Sequence, residues 1–245
     1  MSLTHIFFDV HDVLVDRIQL REFYTARLGE IMHERYGFAP DAWASSYRRI
    51  LADWDSYYAD LNLSGDDGIA DMWEGIYRTT RALFRLTGAP EPDKPELTAL
   101  SRELPGLAAQ GGDVLYPEVP DVIARLDDAG LTLGVISHSL IGQIHASLAP
   151  ILHHFKGPVW GADNAGRFDK DVQRFQSAAL SAGAELSNCI MLDDKQQPLL
   201  NARRAGMRAI QVRRDPSAPA FAVDAVFADL TGLPDYALPE EQTRR

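Results

Sequence analysis

The ten residues FFDVHDVLVD, positions 7–16, carry an apolar run straight into Asp9, with His11 and Asp12 close behind. Three further apolar runs end in the same way. LTLGVI is followed by Ser137, His138 and Ser139, GPVWG leads to Asp163, Arg167, Asp169 and Lys170, and CIML leads to Asp193, Asp194 and Lys195. A short apolar run that stops at charged residues reads as a buried strand. Ligands in open α/β sheets bind beyond the carboxyl ends of such strands, so the four sets converge on one sheet edge. Carboxylates gathered there without neutralisation repel one another and call for a cation. With oxygen ligands only, magnesium (Mg2+) is the natural candidate. A carboxylate can also attack phosphorus and form an aspartyl-phosphate. That chemistry needs the charges of nucleophile and substrate offset by metal, lysine and hydrogen-bond donors, because phosphoryl transfer is mostly positioning and electrostatics.

The elements that must position these groups follow from the pattern. Residues 4–9 read as a short buried strand. From about residue 17 to 112 the periodicity is helical: Leu20, Tyr24, Leu28 and Ile31 recur at three- and four-residue spacing until Gly37. Further helices are expected over 40–59, 67–87 and 95–109. From about residue 114 apolar strands alternate with helices. A helix closed by Gly130 precedes LTLGVI, helix 140–149 precedes GPVWG, helix 171–182 precedes CIML, and helix 197–205 precedes MRAIQV. AVFADLTGLPDY reads as a last strand and short helix, and the tail PEEQTRR as disordered. Such alternation marks a parallel sheet with helices on both faces. The expected fold is therefore α/β, a doubly wound parallel sheet. Its core is formed by residues 1–16 and 114–245, and residues 17–113 are an inserted all-α cap. Trp43, Tyr47, Trp54, Tyr58 and Trp73 should mostly pack that cap, with a few facing the cleft and Arg48 or Arg49 as candidates to reach a substrate anion.

Composition narrows the partners. The 24 Lys and Arg against 35 Asp and Glu give a formal net charge of −11, which repels nucleic acid and anionic membrane surfaces. A small anionic substrate remains compatible, because a few cations at one cleft outweigh distant surface charge. Cys189 is the single cysteine, so no internal disulfide forms, and in NCIML it reads as a small buried side chain. No stretch reads as a signal peptide, and no apolar run approaches the about 20 residues that span a bilayer. A cytoplasmic location is expected.

The same stretches carry a resemblance. FFDVHDVLVD, LGVISHS, Lys170 in FDKDVQRF and IMLDDKQQPLLNARRAGM resemble, in order and approximate spacing, the four motifs of the haloacid dehalogenase (HAD) superfamily of hydrolases. ADLTGLPDY resembles the usual end of that family's core. The resemblance implies a Rossmann-like core with a helical cap and a phosphatase acting on a small phosphorylated substrate. It makes Asp9 the nucleophile and a metal ligand. Ser137 would hydrogen-bond the transferring group, and Lys170 would hold Asp9 and the phosphoryl group. Asp194 would bind magnesium directly, Asp193 directly or through water, and the backbone carbonyl of His11 would also face the metal. Ser137 could equally cap the helix that follows it. His138 and Arg167 join Ser137 and Lys170 as candidate substrate contacts, and Arg167 competes with Lys170 for the lysine's role.

Departures from the family pattern fall at three places. His11 stands where the family's phosphatases keep a second aspartate that protonates the leaving group. Asp12-Val13 replaces the usual glycine-threonine pair, and Lys170 lacks its usual neighbouring proline. An imidazole can donate a proton near neutral pH, so His11 reads either as the general acid or as a residue that fills space while catalysis weakens. Two alternatives accompany the phosphatase. One is a dehalogenase-like or other non-phosphatase member, since dehalogenases also lack the second aspartate but need no metal. The other is a catalytically silent protein that binds a phosphorylated ligand or a protein partner.

Overall fold

The computed structural model describes residues 3–64 and 67–238, and the tail expected to be disordered lies outside the described residues. The apolar runs form β1 (His5–Phe8), β2 (Thr132–Ile136), β3 (Val159–Trp160), β4 (Cys189–Asp193), β5 (Arg208–Val212) and β6 (Ala225–Phe227). They pair in parallel throughout, in the order β3-β2-β1-β4-β5-β6. Phe8 pairs with both Val135 and Leu192, so one position further on Asp9 comes level with Asp193. The chain leaves β1 to build β2 and β3 on one side, then crosses to build β4 to β6 on the other. That reversal opens a crevice at the carboxyl ends of β1 and β4, where open sheets bind ligands.

Alternation along the strands explains why they are apolar without interruption. Ile6, Phe8, Ile190 and Leu192 enter one buried cluster, whereas Phe7, Cys189 and Met191 enter another on the opposite face. A sheet covered on both faces needs apolar residues at every position. The second face lies under α7 (Val172–Ser181) and α8 (Gln196–Ala205), which contribute Phe175, Ala178 and Ala202. The first lies under α5 (Val119–Asp128) and α9 (Leu233–Ala237), through Val122, Ile123, Leu126 and Leu233. Cys189 is fully buried, as its apolar setting implied.

Between β1 and α5 the chain forms α1 (Arg17–Tyr36), α2 (Pro40–Ala52), α3 (Gly68–Thr87) and α4 (Lys94–Ala109). Asp16 starts α1 by accepting hydrogen bonds from the Ile18 and Gln19 amides. The stripe of Leu20, Tyr24, Leu28 and Ile31 faces inward, and Gly37 ends the helix at φ 74°. Trp43 is fully buried against Phe84, and its indole N–H donates to the Gly37 carbonyl at 2.8 Å. The expected helix over 40–59 is shorter than its periodicity implied. It stops at Ala52 and resumes as a single tight turn over Trp54–Tyr57. Ser56 Oγ bonds both the carbonyl and the carboxylate of Asp53, a local alternative to the helical ladder. The apolar cluster of the first sheet face continues unbroken into these helices through Val13, Leu14 and Val15.

α1 and α2 approach so closely that a side chain at Gly29 would place its Cβ 2.5 Å from the Pro40 carbonyl oxygen. Helix propensity favours alanine over glycine by about 1 kcal/mol, but overpacking against backbone costs about 1–3 kcal/mol. Gly29→Ala is therefore expected to lower stability by about 1 kcal/mol or more and the unfolding midpoint by a few degrees. Thermal unfolding followed by circular dichroism checks this, and a raised midpoint would contradict the packing argument.

Candidate active site

The four strand ends meet as the register requires. Lys170 is buried, with its Nζ 2.8 Å from Asp9 Oδ1 and 2.7 Å from Asp193 Oδ2. Asp193 is completely buried, and its other oxygen accepts the Lys195 amide at 2.8 Å. Burial alone would raise the Asp9 carboxyl, but the Lys170 charge and contact, with a smaller pull from His11, hold it below its ordinary value. Asp193 moves the other way: burial pushes it up and Asp9 adds to this, while Lys170 opposes. Burial also disfavours the Lys170 ammonium, yet Asp193 and Asp9 keep its pKa above the ordinary value. Asp9 is thus the carboxylate held ready as an anion.

His11 sits half-buried in the turn after β1, and its Nε2 is 3.4 Å from Ser139 Oγ. Burial lowers its pKa below 6.5, while Asp9 and Asp12 pull it back up, so the resting imidazole is neutral at neutral pH. Ser137 Oγ is buried and lies 3.4 Å from Ser139 Oγ. Ser137 does not cap the next helix, α6 (Ile141–Ser147); its first amide, Ile141, is held by Asp163 at 2.7 Å. Asp12 takes the glycine position of the family pattern at φ 58°, a left-handed conformation that aspartate tolerates better than most residues. Its carboxylate pairs with Arg17 at 2.7 Å.

The donor set fits a hard divalent cation. Asp9, Asp193 and Asp194 each offer a carboxylate oxygen, all within 4.8 Å of one another. Asp9 Oδ1 is buried and has no hydrogen bond, since Lys170 approaches it as an ion pair off the hydrogen-bonding line. Among the described residues the His11 carbonyl accepts no hydrogen bond either. Asp194 is pushed up by burial, with Lys195 opposing and Asp9 and Asp12 adding to the rise. Oxygen ligands around excess negative charge suit magnesium or a similar ion.

A cavity of about 230 Å³ lies between the inserted helices and the carboxyl edge of the sheet. Its walls include Tyr24, Leu28, Trp54, Met72, Ile76 and Leu104, and its floor is His138 with Phe168. The His138 ring is exposed into this cavity and lies 5.1 Å from Phe168. Enclosure and the Lys170 charge push its pKa down to about 4, so it is neutral. Tyr47 and Tyr58 also face the cavity, whereas Trp73 lies on an outer groove beneath Arg102. Arg48 and Arg49 are exposed and take no part in the cavity, contrary to the expectation of an anion contact there. Their place on the outer face of α2 follows from Trp43, Ser46 and Ile50 facing inward.

Of the remaining expected residues, Arg167 stands apart from the carboxylates and pairs with Asp171 instead, so Lys170 is the cation that reaches Asp9. Sequence reading passed over Arg174. This arginine is buried, and its guanidinium donates to the carbonyls of Phe168, Ser137 and Gly161 at 2.8, 2.8 and 3.0 Å. Burial lowers its pKa to about 10, which leaves it charged at neutral pH. Its signal was its place four residues after Lys170. Asn201 was also passed over; its side-chain amide holds the Lys170 carbonyl at 3.0 Å.

A phosphatase of Mycobacterium tuberculosis (strain CDC 1551 / Oshkosh) is 28% identical over 156 residues, covering 58% of this chain and 70% of that protein. The phosphoglycolate phosphatase of Caulobacter vibrioides is 29% identical over 144 residues, covering 56% of this chain and 61% of that protein. The solved structure of a 2-haloacid dehalogenase from Pseudomonas syringae pv. tomato superposes with a TM-score of 0.62 at 21% identity. That match covers 96% of this chain and 97% of the other, and at this identity it speaks for the fold alone. The haloacid dehalogenase-like hydrolase family model matches residues 3–206, from β1 through all four strand ends to the close of α8, and the chain belongs to that family of hydrolases.

Proposed function

We propose that the protein is a magnesium-dependent phosphatase that hydrolyses a small phosphate monoester through an aspartyl-phosphate at Asp9. The observation that carries this reading is the buried Asp9–Lys170–Asp193 trio, with Asp194 beside it. A metal-free dehalogenation has no use for three converging carboxylates. The two relatives that are named phosphatases support the same choice.

In this reading Asp9, kept anionic by Lys170, attacks phosphorus as the bond to the leaving oxygen breaks. Ser137 Oγ and Lys170 Nζ hold the phosphoryl oxygens. The leaving oxygen takes its proton from the His11 imidazolium, the form that Asp9 and Asp12 favour against burial. The neutral imidazole that remains, 3.4 Å from Ser139 Oγ, accepts the proton of the attacking water. Water then attacks the aspartyl-phosphate, releasing phosphate and restoring Asp9. Held by Asp9, Asp194 and the His11 carbonyl, with Asp193 directly or through water, magnesium would neutralise charge on the phosphoryl oxygens. Residues 17–113 serve as the cap, whose helices cover the site and exclude bulk water.

Asp9→Asn is expected to lower phosphate release by at least about 10³-fold, and chelation of the wild type to abolish it until magnesium is returned. Release of inorganic phosphate from a set of monoesters is the measurement. Undiminished turnover in Asp9→Asn would reject the nucleophile, and turnover that survives chelation would reject the metal.

The role of His11 is separable from simple positioning by the choice of leaving group. A general acid matters most for an alkoxide and least for p-nitrophenolate, which departs without protonation. His11→Ala should therefore slow hydrolysis of an alkyl phosphate by about 10²–10⁴-fold and of p-nitrophenyl phosphate far less, with His11→Asp retaining activity on both. Equal losses on the two esters would show that His11 only positions.

A further inference from the structure

The composition of the cavity over His138 narrows the substrate. Among the described residues its wall contains no lysine, arginine, aspartate or glutamate. Its two threonine hydroxyls and its one side-chain amide oxygen are already engaged. Thr79 and Thr80 both donate to the Ile76 carbonyl, at 2.9 and 2.8 Å, the Gln143 side-chain oxygen accepts the Leu140 amide at 3.3 Å, and the Tyr24 and Tyr47 rings lie against each other at 5.3 Å. Trp54 and Tyr58 stack at 5.0 Å and 23° to form an aromatic side of the cavity. The Tyr58 ring is fixed against α3 because residue 75 has no side chain; a Cβ there would stand 2.0 Å from it. The floor residue His138 directly follows Ser137 and lies within the field of Lys170 and Asp9, which sets the cavity beside the carboxylate and lysine trio.

These features set the chemistry of what enters. A carboxylate on the substrate would lose its hydration without gaining a counter-charge, and a sugar would leave most of its hydroxyls unpaired. An apolar group would instead exchange water for Leu28, Met72, Ile76 and Leu104. A dry cavity of about 150 Å³ holds benzene, so a cavity of about 230 Å³ has room for an aryl group or an alkyl chain of about six carbons.

We propose that this cavity receives the leaving group of the ester and selects uncharged apolar aryl or alkyl monophosphates over carboxylated or polyhydroxylated ones. The inference rests on the phosphatase reading above. Its test uses the full chain with magnesium and a series from methyl to hexyl phosphate, together with phenyl phosphate, 2-phosphoglycolate and glucose 6-phosphate. Asp9→Asn is the control for contaminating activity. The value of kcat/KM should rise about fourfold per methylene until the cavity is filled, and phenyl phosphate should exceed 2-phosphoglycolate at least about tenfold. Binding gives a second readout that does not depend on turnover: by calorimetry, phenylphosphonate should bind the wild-type protein more tightly than phosphonoacetate. A flat alkyl series, a preference for the carboxylated or sugar ester, or tighter binding of phosphonoacetate overturns the inference while Asp9-dependent phosphate release keeps the phosphatase. Absence of Asp9-dependent release from every ester overturns the phosphatase reading, and the leaving-group assignment falls with it.

Discussion

Lys170 lies between two carboxylates in a place where water does not reach, its side chain 1% exposed and that of Asp193 not exposed at all. Removing charges from water costs several kcal/mol per ion, and their attraction repays this only when the geometry is good and the other lone pairs are satisfied. Here one ammonium faces two carboxylates, and the second oxygen of Asp193 is bonded by the Lys195 amide. The arrangement is satisfied in its contacts but not in its charge. Asp9 and Asp193 outnumber Lys170, and Asp194 adds a further negative group whose nearest cation, Lys195, is mostly in solvent. The opposite shifts of Asp9 and Asp193 express this imbalance. One carboxylate is kept ionised at the expense of the other, in a cluster of three whose oxygens suit a divalent cation.

That balance requires the strand ends to be fixed to within fractions of an ångström, and the fold supplies the fixing from two directions. The parallel register brings Asp9 level with Asp193 without any side-chain contribution. From the other side, Arg174 draws the carbonyls of Ser137, Gly161 and Phe168 onto one buried guanidinium, which ties together the loops after β2 and β3 and the segment before Lys170. A charged donor buried against several carbonyls forms stronger hydrogen bonds than a neutral one. Breaking it would leave these acceptors without partners, at about 1–3 kcal/mol each. Asn201 adds a tie from α8 to the Lys170 backbone. Lys170 is thereby positioned by its main chain before its side chain meets any carboxylate.

The sequence made legible whatever depended on strand order and residue type. Each apolar run became a strand or its end, and Asp9, Ser137, Lys170, Asp193 and Asp194 came together because parallel strands bring their carboxyl ends to one edge. What escaped depended on distances between segments far apart in the chain. Arg167 and Lys170 are three positions apart and of like charge, and only the path of the loop gives Lys170 to Asp9 and Arg167 to Asp171. Arg174 looks like an ordinary helix residue until three carbonyls are found around it. Arg48 and Arg49 face outward because Trp43, Ser46 and Ile50 take the inner face of α2, a choice between faces that the spacing alone left open. The break at Asp53 was hidden because a side-chain bond from Ser56 competes with a helix that the periodicity otherwise supports.

The site thus divides into a charged floor and an uncharged roof that come from different parts of the chain. Lys170 and His11, the side chains that act most on Asp9, lie at the sheet edge and in the turn after β1, whereas the apolar walls come mostly from α1, α3 and α4. The division has an electrostatic consequence. An apolar roof over the trio lowers the local dielectric, which strengthens the pull of Lys170 on Asp9 and raises the cost of any further unpaired charge. A roof that carried its own cations would weaken the hold of Lys170 by competing for the same carboxylates. The helices between β1 and α5 also pack on the core, with Gly106 of α4 against Gly142 of α6 and Met72 of α3 beside Leu140 and Ala162. The charged groups are held by strand register and buried ion pairs, and the apolar walls by the packing of helices against one another and against the core.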